Sequence, residues 1–402
     1  MWTVQLQGGP KRVNHAAVAV KDKIYSFGGY CTGENFRITK PIDVHVLDCE
    51  TLRWRRLALD QEFDYDVPYQ RYGHTVVVYR HRVYLFGGRN DADGACNQLY
   101  EYDTSSNQWR ACLENKGLCP MARDGHTAVV YRDRMLIFGG FEEYSMRFSK
   151  DTFEYNFSTS HWKKLETKGR EPSHRDFHTA VVIDKKMCVF GGRSDYSGPF
   201  HTTREYYCNN VFMLDIETGR WQCALGRGQV PIGRRSHSAW VHNGKMSIFG
   251  GFYGLVGKHF DTIHEFDPDT FEWREVRPSG AEGKGNGKGP AARRRQSVAI
   301  VGERLFLFGG SRPRHSRPAT PAPFAEDSFE EFPFEEGELL QLEDMADLHI
   351  LDYAPTLSTL AARAVLQHGL QNAVRLPNLV RFQLHCMSTN NAITSARSDT
   401  MG

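Results

Sequence analysis

The sequence predicts an all-β fold, a ring of six four-stranded blades known as a β-propeller, followed by a short α-helical docking segment. Two observations predict the ring: adjacent glycine pairs recur along most of the chain, and each pair stands at a fixed distance from similar flanking residues. A third observation predicts the docking segment, because the spacing of apolar residues changes from period two to a helical period after Pro355.

The glycine pairs define the repeat. They begin 52 or 59 residues apart, at Gly28, Gly87, Gly139, Gly191, Gly250 and Gly309. A glycine doublet repeated at about 50 residues is typical of kelch-type propellers. The first copy shows four segments of strand-like composition, at 14–20, 24–27, 43–47 and 54–59. Six copies therefore predict a six-bladed kelch β-propeller, which we place at residues 1–353.

Each doublet has the same neighbours. Five copies carry Arg-x-x-His ending 13 residues before the first glycine, at Arg12/His15, Arg71/His74, Arg123/His126, Arg175/His178 and Arg234/His237, whereas the sixth has Arg293 and Gln296. Because this tetrad recurs from blade to blade, we interpret its Arg and His as structural groups that bind backbone carbonyls of neighbouring strands. An aspartate six residues ahead of a tryptophan follows most doublets, as in Asp48 and Trp54.

The ring is predicted to close through the N-terminus. The sixth copy has Ser358 where a tryptophan is expected, and the missing tryptophan precedes the first tetrad, at Trp2. The strand that contains Trp2 should therefore complete blade six, and closing the ring in this way removes exposed sheet edges.

Composition indicates a protein of a reducing compartment. The net charge of +2 provides no general attraction to nucleic acid or anionic lipid, so we expect neither a membrane nor a sequence-specific nucleic acid as partner. Nine cysteines without a Cys-x-x-Cys pair are not a disulfide framework. No signal peptide or long apolar run is evident. We expect a cytoplasmic and nuclear protein.

The long loops predict a binding site at one end of the ring. In an antiparallel blade the tetrads and the loops after the doublets lie at the same end, and binding residues concentrate on such loops. The residues beside these landmarks are Tyr30, Tyr72, Arg89, Asp124, Phe141, Asp176, Phe177, Arg193, Arg235, Ser236, Phe252, Tyr253, Arg294 and Arg295. Aromatic walls with several guanidinium groups suit an extended peptide or an anion. A solvated surface role remains the alternative for each unrepeated arginine.

Motifs for catalysis, cofactors and metals do not occur. The glycine-rich stretch 280–289 has no Gly-Lys-Ser/Thr, and the histidines recur at blade spacing and not at metal-ligand spacing. We expect no catalytic residue, cofactor or metal. An acidic, proline-containing insert at 311–346 is predicted to be disordered, with ten carboxylates between Glu326 and Asp347.

The C-terminal region predicts two helical segments at 354–386 and a flexible tail at 387–402. Leu357, Leu360, Ala361, Ala364 and Val365 form one stripe of a helix that Thr356 can cap and Gly369 can end. A second apolar segment begins at Leu376. These faces either pack under the ring or dock a partner by helix-in-groove contact.

With this tail, the chain resembles the kelch-repeat substrate receptors of cullin-2 ubiquitin ligases. Thr356-Leu357-x-x-x-Ala361-x-x-x-Val365 resembles their elongin-binding box, and Leu376-Pro377-Asn378-Leu379-Val380 resembles the cullin-2 box. The family box usually has Cys at the position of Ala361. The resemblance implies that Leu357, Leu360, Ala361, Val365, Leu376, Pro377 and Val380 contact elongin B/C and cullin-2, which brings its RING subunit.

The resemblance also implies a substrate class. Receptors of this family capture proteins through a free C-terminus that ends in glycine. Arg193 matches the position of a carboxylate-binding arginine, Gly198 stands where a second arginine is expected, and Arg235 replaces a carboxylate-binding serine. The implied substrate site consists of Arg193, Arg235, Ser236, Arg89, Tyr30, Tyr72 and Phe141, with Asp124 and Asp176 available for a basic penultimate side chain.

Two other functions stay open at this point. A kelch interaction scaffold without a ligase, such as one associated with chromatin, would use the same basic rim on acidic segments. An enzyme ranks lowest because an acid, base or metal constellation is missing. The chain ends in Gly402, which also raises the hypothesis that the receptor binds its own tail.

Overall fold

The computed structural model describes residues 1–35, 37–279, 289–314, 341–372 and 376–393. Within them the chain forms six antiparallel sheets that correspond to the six glycine doublets, together with two α-helices near the C-terminal end. The predicted all-β kelch propeller fold is confirmed. Most of the acidic insert, much of the 280–289 stretch and Gly402 lie outside the described residues.

Each blade has four main strands. They are Ala16–Val20, Lys23–Phe27, Val44–Asp48 and Arg53–Leu57 in blade one; Tyr72–Tyr79, Arg82–Asn90, Leu99–Asp103 and Gln108–Ala111 in blade two; Thr127–Tyr131, Arg134–Phe138, Thr152–Asn156 and His161–Lys164 in blade three. They are Thr179–Ile183, Lys186–Phe190, Val211–Asp215 and Arg220–Ala224 in blade four; Ser238–His242, Lys245–Phe249, Ile263–Asp267 and Glu272–Val276 in blade five; Ser297–Val301, Arg304–Phe308, Leu348–Asp352 and Trp2–Leu6 in blade six.

The predicted closing strand is Trp2–Leu6. It pairs antiparallel with Leu348–Asp352, with Leu6 opposite Leu348 and Trp2 opposite Leu351. The sixth tryptophan is therefore supplied by the other end of the chain, and blade six contains strands from both ends.

Aromatic pairs join successive blades. In five blades the tryptophan of the outer strand packs on the phenylalanine that precedes the doublet of the blade before it. The ring centroids lie 5.5 Å apart for Phe27/Trp109, 5.3 Å for Phe86/Trp162 and Phe138/Trp221, 5.1 Å for Phe190/Trp273 and 4.9 Å for Phe308/Trp54. The last pair joins blade six to blade one. Edge and tilted contacts of this kind add to the burial of large apolar area between blades.

The glycine doublets make room for the tetrads. A Cβ on Gly87 would lie 2.4 Å from the ring of His126 in the next blade, and a Cβ on Gly88 would lie 2.6 Å from His74 of its own blade. Both glycines have positive φ, at 69° and 81°. A side chain is therefore excluded by contact and by backbone conformation.

The tetrad arginines are structural, as predicted. Arg123 and Arg175 are fully buried, and each donates to the carbonyl two residues before it and to the carbonyl of its own first doublet glycine. Two details correct the prediction. Arg12 binds carboxylates, those of Glu34 and Asp43. Three of the five histidines, His126, His178 and His237, pair with threonine hydroxyls of the preceding blade, and Nε2 of His126 lies 2.7 Å from Oγ1 of Thr75.

Short segments complete the fold. At the end with the tetrads they are Gly94–Ala95, Arg123–Asp124, Phe141–Glu142, Arg147–Phe148, Ser194–Asp195, Glu205–Tyr206, Phe252–Tyr253, the 3-10 helix Gly254–Val256, Lys258–His259, Ser311–Pro313 and Leu342–Asp344. The linkers Lys116–Gly117, Lys168–Gly169 and Arg227–Gly228 pair in parallel with the outer strand of the following blade. Ser311–Pro313 pairs with Leu342–Asp344, so the two ends of the predicted disordered insert are ordered.

The tail consists of α1, Leu357–Gln367, and α2, Asn378–Ser388, with a 3-10 turn at Leu370–Asn372. Thr356 caps α1 by accepting from the Thr359 amide at 3.1 Å, as the sequence predicts. Ala362, Leu384 and Met387 are buried in one cluster with Val4 and Leu6 of the closing strand. The helices therefore pack on the strand that closes the ring.

The predicted boundary at 386/387 is wrong, because α2 continues to Ser388 and the chain then returns to the ring. Asn391 donates its amide to the Gln7 carbonyl at 2.7 Å, and its side-chain oxygen accepts from the Trp54 amide at 2.9 Å. These bonds satisfy the outer edge of blade one, which gives residues 390–393 a fixed place that composition does not reveal.

Candidate functional site at the mouth of the propeller

We use mouth for the end of the ring that carries the tetrads and the loops after the doublets. Its innermost layer is a ring of backbone hydrogen bonds between the third tetrad residues. Each amide donates to the carbonyl of the preceding blade, in the order Asn14, Gly73, Gly125, Phe177, Ser236 and Arg295, and the Asn14 amide donates to Arg295. All six residues have positive φ. These hydrogen bonds thus form a complete circle around the axis, and the circle surrounds a cavity of about 120 Å³.

The second layer consists of pairs. In each blade the second tetrad residue forms an antiparallel bridge with the residue after the doublet, giving Val13/Tyr30, Tyr72/Arg89, Asp124/Phe141, Asp176/Arg193, Arg235/Phe252 and Arg294/Ser311. Because these pairs hold side chains at equivalent places around the axis, the residues predicted from the landmarks are brought together at one mouth. Each blade contributes one bridged pair, and Val13 and Ser311 are the two pair members that were not predicted from the landmarks.

Three guanidinium groups form what we call the basic cluster, Arg235, Arg294 and Arg295. The guanidinium carbons of Arg294 and Arg235 lie 4.4 Å and 5.5 Å from the ring centroid of Phe252. Arg295 donates to the hydroxyl of Tyr30. Among the described residues no carboxylate forms an ion pair with any of the three. Burial, and then the charges of Arg295 and Arg235, lower the pKa of Arg294 to about 10.

Unsatisfied donors mark the same cluster. The Nε atoms of Arg294 and Arg295 are buried and have no hydrogen-bond partner among the described residues. Uncompensated positive charge beside an aromatic face, with buried N–H groups to spare, is an anion-binding arrangement, since a carboxylate would satisfy both the charge and the donors.

The acidic side of the mouth is built by Asp124, Asp176 and Glu205. Arg193 donates two hydrogen bonds to the Asp176 carboxylate, from Nε to Oδ1 at 3.1 Å and from Nη2 to Oδ2 at 2.6 Å. Burial acts to lower the pKa of Arg193, but the Asp176 carboxylate outweighs it and leaves that pKa raised. The predicted carboxylate arginine is therefore already paired within the chain.

Asp124 differs from its neighbour. It is buried, and burial together with the charge of Asp176 raises the pKa of the Asp124 carboxyl to about 7. A cation bound on this side would favour the ionised form of the Asp124 carboxyl.

The remaining predicted substrate residues occupy the walls. Tyr30 and Tyr72 meet edge to face with centroids 5.4 Å apart, and Phe141 packs on Phe148 at 5.7 Å. Arg89 pairs with Glu143 at 3.1 Å, and Ser236 belongs to the innermost ring. Residues that we did not place in the substrate site are Arg294, Arg295, Glu205 and Tyr207. The triple arginine at 293–295 was a visible signal for the first two, whereas Glu205 and Tyr207 lie inside a long loop without one.

A second candidate surface lies on the tail. Leu357 is 84% exposed, and Leu360, Ala361 and Pro377 are also exposed. Val365, Leu376 and Val380 pack in part against the cluster under the ring. Four of the seven predicted partner residues are therefore exposed to solvent, and three face the ring. Leu379 and Phe382, which were not assigned to a partner, are also exposed.

Other kinds of site receive no support from the described residues. No group of three or more His, Cys, Asp or Glu among them is arranged to hold a metal ion. No helix there has the length and apolarity that would cross a membrane.

Comparison with known proteins agrees with this architecture. The KLHDC2/KLHL20/DRC7 Kelch-repeats domain model matches residues 14–146 and 112–310. Kelch domain-containing protein 3 of Bos taurus is 42% identical over 397 residues, covering 98% of this chain and 97% of that protein, and the Homo sapiens protein is also 42% identical. Host cell factor 2 of Homo sapiens is 29% identical over 64% of this chain and 32% of its own length. With this coverage, the chain belongs to the family of Kelch domain-containing protein 3.

Proposed function

We propose that this kelch-repeat protein is a non-catalytic substrate receptor of a cullin-2 RING ubiquitin ligase in the cytoplasm and nucleus. It captures substrate proteins by a C-terminus that ends in glycine, and it docks on elongin B/C and cullin-2 through its C-terminal helices. Ubiquitin transfer, followed by proteasomal degradation, takes place through other subunits, and the receptor acts by raising the effective concentration of substrate near them.

The observation that carries this proposal is the basic cluster. Three guanidinium groups meet at one mouth without a carboxylate partner in the part of the chain that the structure describes, although neighbouring Arg193 and Arg89 each have one. A terminal carboxylate supplies one negative charge and two acceptor oxygens, which suits bidentate guanidinium binding.

The innermost ring supports a chain end as ligand. The cavity at the axis is small, and it is lined by the third and fourth residues of the six tetrads, among them Phe177 and Arg295. A chain that continued past the cluster would need a passage through that ring, whereas a chain that ends there does not. A terminal glycine brings its carboxylate nearest to the guanidinium groups because no side chain stands beside it.

The tail supports the ligase half of the proposal. The helices pack beside Leu52 in the turn between the third and fourth strands of blade one, at the end opposite the mouth. Leu357, Leu360 and Ala361 point away from the ring into solvent. An exposed apolar stripe of this kind is a helix-in-groove docking face.

The mouth is tested with a peptide that ends in Arg-Gly, prepared as the free acid and as the amide. The free acid should bind at least tenfold more tightly, because amidation removes the charge that the basic cluster neutralises. Fluorescence anisotropy of labelled peptide measures the difference. Equal affinities would reject carboxylate capture and favour the alternative, a scaffold whose basic cluster accepts side-chain carboxylates of acidic segments.

The tail is tested by co-precipitation from cells. Leu357→Asp should lose elongin B/C and cullin-2 and keep peptide binding, since a charge replaces an apolar contact far from the mouth. Leu113→Asp is the matched control, because Leu113 is also an exposed leucine, 63% accessible, but lies in a linker between blades. The docking face is contradicted if the control variant also loses both partners, or if Leu357→Asp keeps both of them.

A further inference from the structure

We propose that the loops over blades three to five form an apolar crown that binds apolar side chains of the substrate upstream of its captured C-terminus. The crown consists of Tyr144, Met146, Tyr196, Phe200, Leu255 and Val256. This inference rests on the proposed function and adds a second specificity to it, for residues that the basic cluster cannot reach.

The crown holds six of the exposed large apolar side chains of the ring. Tyr144 is 88% exposed, and Tyr196 and Val256 are each 69% exposed. The turns at the opposite end of the ring carry no large exposed apolar side chain among the described residues. Single exposed apolar residues are common on protein surfaces, but six of them on adjacent loops at one end indicate a contact surface.

The crown loops are joined to each other. The Phe148 amide donates to the Pro199 carbonyl at 2.6 Å, and Arg147 forms a bridge with Phe200, which connects the loops of blades three and four. Tyr207 of blade four packs on Tyr253 of blade five with ring centroids 5.4 Å apart. The exposed side chains are therefore held on one connected framework.

The crown is also continuous with the binding site. The guanidinium groups of Arg235 and Arg294 contact the ring of Phe252, and Phe252 begins the loop that contains Leu255 and Val256. On the other side the Arg193 guanidinium lies 5.1 Å from the ring centroid of Phe148, which is two residues after Met146 in the chain. The crown therefore adjoins the predicted substrate residues of the mouth.

This position defines the ligand segment. An extended chain advances about 3.3 Å per residue, so residues roughly four to seven before the carboxylate lie about 13 to 23 Å from it, and we place the contact with the crown in this segment. The crown covers one side of the mouth, and apolar side chains in that segment would remove their own surface and that of the crown from water.

The test uses four peptides of identical length that end in Arg-Gly. They combine a free acid or an amide with either leucines or serines in the segment roughly four to seven residues from the end. We expect the leucine peptides to bind about tenfold more tightly than the serine peptides to the wild type, measured by fluorescence anisotropy. The preference should fall below about twofold in Tyr144→Ser/Phe200→Ser/Val256→Ser, while the penalty for amidation stays.

The control is Leu113→Ser/Leu118→Ser/Leu225→Ser, which removes equally exposed side chains from linkers outside the mouth. It should keep the preference for leucine. Equal binding of leucine and serine peptides to the wild type, or a preference that persists in the crown variant, overturns the crown. Equal binding of acid and amide overturns the carboxylate site instead, and absence of binding by all four peptides overturns both.

Discussion

The two sides of the mouth use the same positions of the repeat for opposite purposes. The second tetrad residue is Asp176 in blade four and Arg235 in blade five, and each bridges to the residue after its doublet. Asp176 meets Arg193 there and the charges cancel, whereas Arg235 meets Phe252 and the charge persists. The comparison teaches that a rim arginine keeps its charge only where neither its bridge partner nor another described carboxylate pairs with it. Arg235 meets this condition, whereas Arg89, which bridges to Tyr72, pairs with Glu143.

The largest expected effect breaks the acidic side. Arg193→Ala leaves the buried Asp176 carboxylate unpaired, so we expect the free energy of unfolding to fall by about 3 kcal/mol. Urea unfolding followed by tryptophan fluorescence measures it. The double variant Arg193→Ala/Asp176→Asn should recover most of the loss, and a single variant as stable as wild type would contradict the pairing.

The basic cluster should respond in affinity and not in stability. Arg235→Ala/Arg294→Ala removes two unpaired charges, so we expect peptide binding to weaken by about 2 kcal/mol, roughly thirtyfold, with unfolding changed little. Arg312→Ala is the matched control, because Arg312 pairs with Glu343 at 2.9 Å on the same end. If only Arg193→Ala weakened peptide binding, the terminal carboxylate of the peptide would instead be bound on the acidic side of the mouth.

The raised pKa of Asp124 predicts a pH dependence of stability. Its value of about 7 lies above that of an unfolded aspartate, so between about pH 4 and pH 7 the folded protein holds a proton that the unfolded chain has released. The contribution of Asp124 to stability therefore declines as pH rises through this window. Relative to Asp124→Asn, the wild type should lose about 1 kcal/mol between about pH 6 and pH 8.

Urea midpoints of both proteins at several pH values measure this difference. Asp269→Asn, an exposed carboxyl on the opposite turns, should follow the wild type. Parallel curves for wild type and Asp124→Asn would show that Asp124 titrates normally.

The smallest effect concerns how the cluster is held. Tyr30→Phe removes the hydroxyl that accepts from Arg295, and we expect peptide affinity to fall by about 0.5 kcal/mol with the ring contact to Tyr72 retained. Isothermal titration calorimetry resolves a change of this size. A loss as large as that of the double arginine variant would make the hydroxyl itself a ligand group.

The repeat made the fold predictable. Doublets, tetrads and tryptophans recur because each blade solves the same packing problem, as the Phe86/Trp162 contact does between blades two and three. The use of Trp2 to complete blade six followed from a single absent tryptophan. The capped helix after Pro355 followed from its apolar period.

The site was predictable in location but not in pairing. Rim positions follow from the repeat, yet whether Arg193 is free depends on Asp176, which is 17 residues away in the chain and opposite it in space. The course of residues 390–393 was missed for a similar reason, because Asn391 binds Gln7 and Trp54 through contacts that local composition does not encode. Long-range partners are what periodicity leaves out.

The arrangement of blade six sets an order of assembly. Its outer strand is made first and its inner strands last, so Trp2–Leu6 stays without a sheet partner until Leu348–Asp352 has been synthesised. The tail helices rest on that same strand. A chain that stalls before the last blade has neither a closed ring nor these helices, so helices docked on Trp2–Leu6 mark a chain whose synthesis and closure are finished.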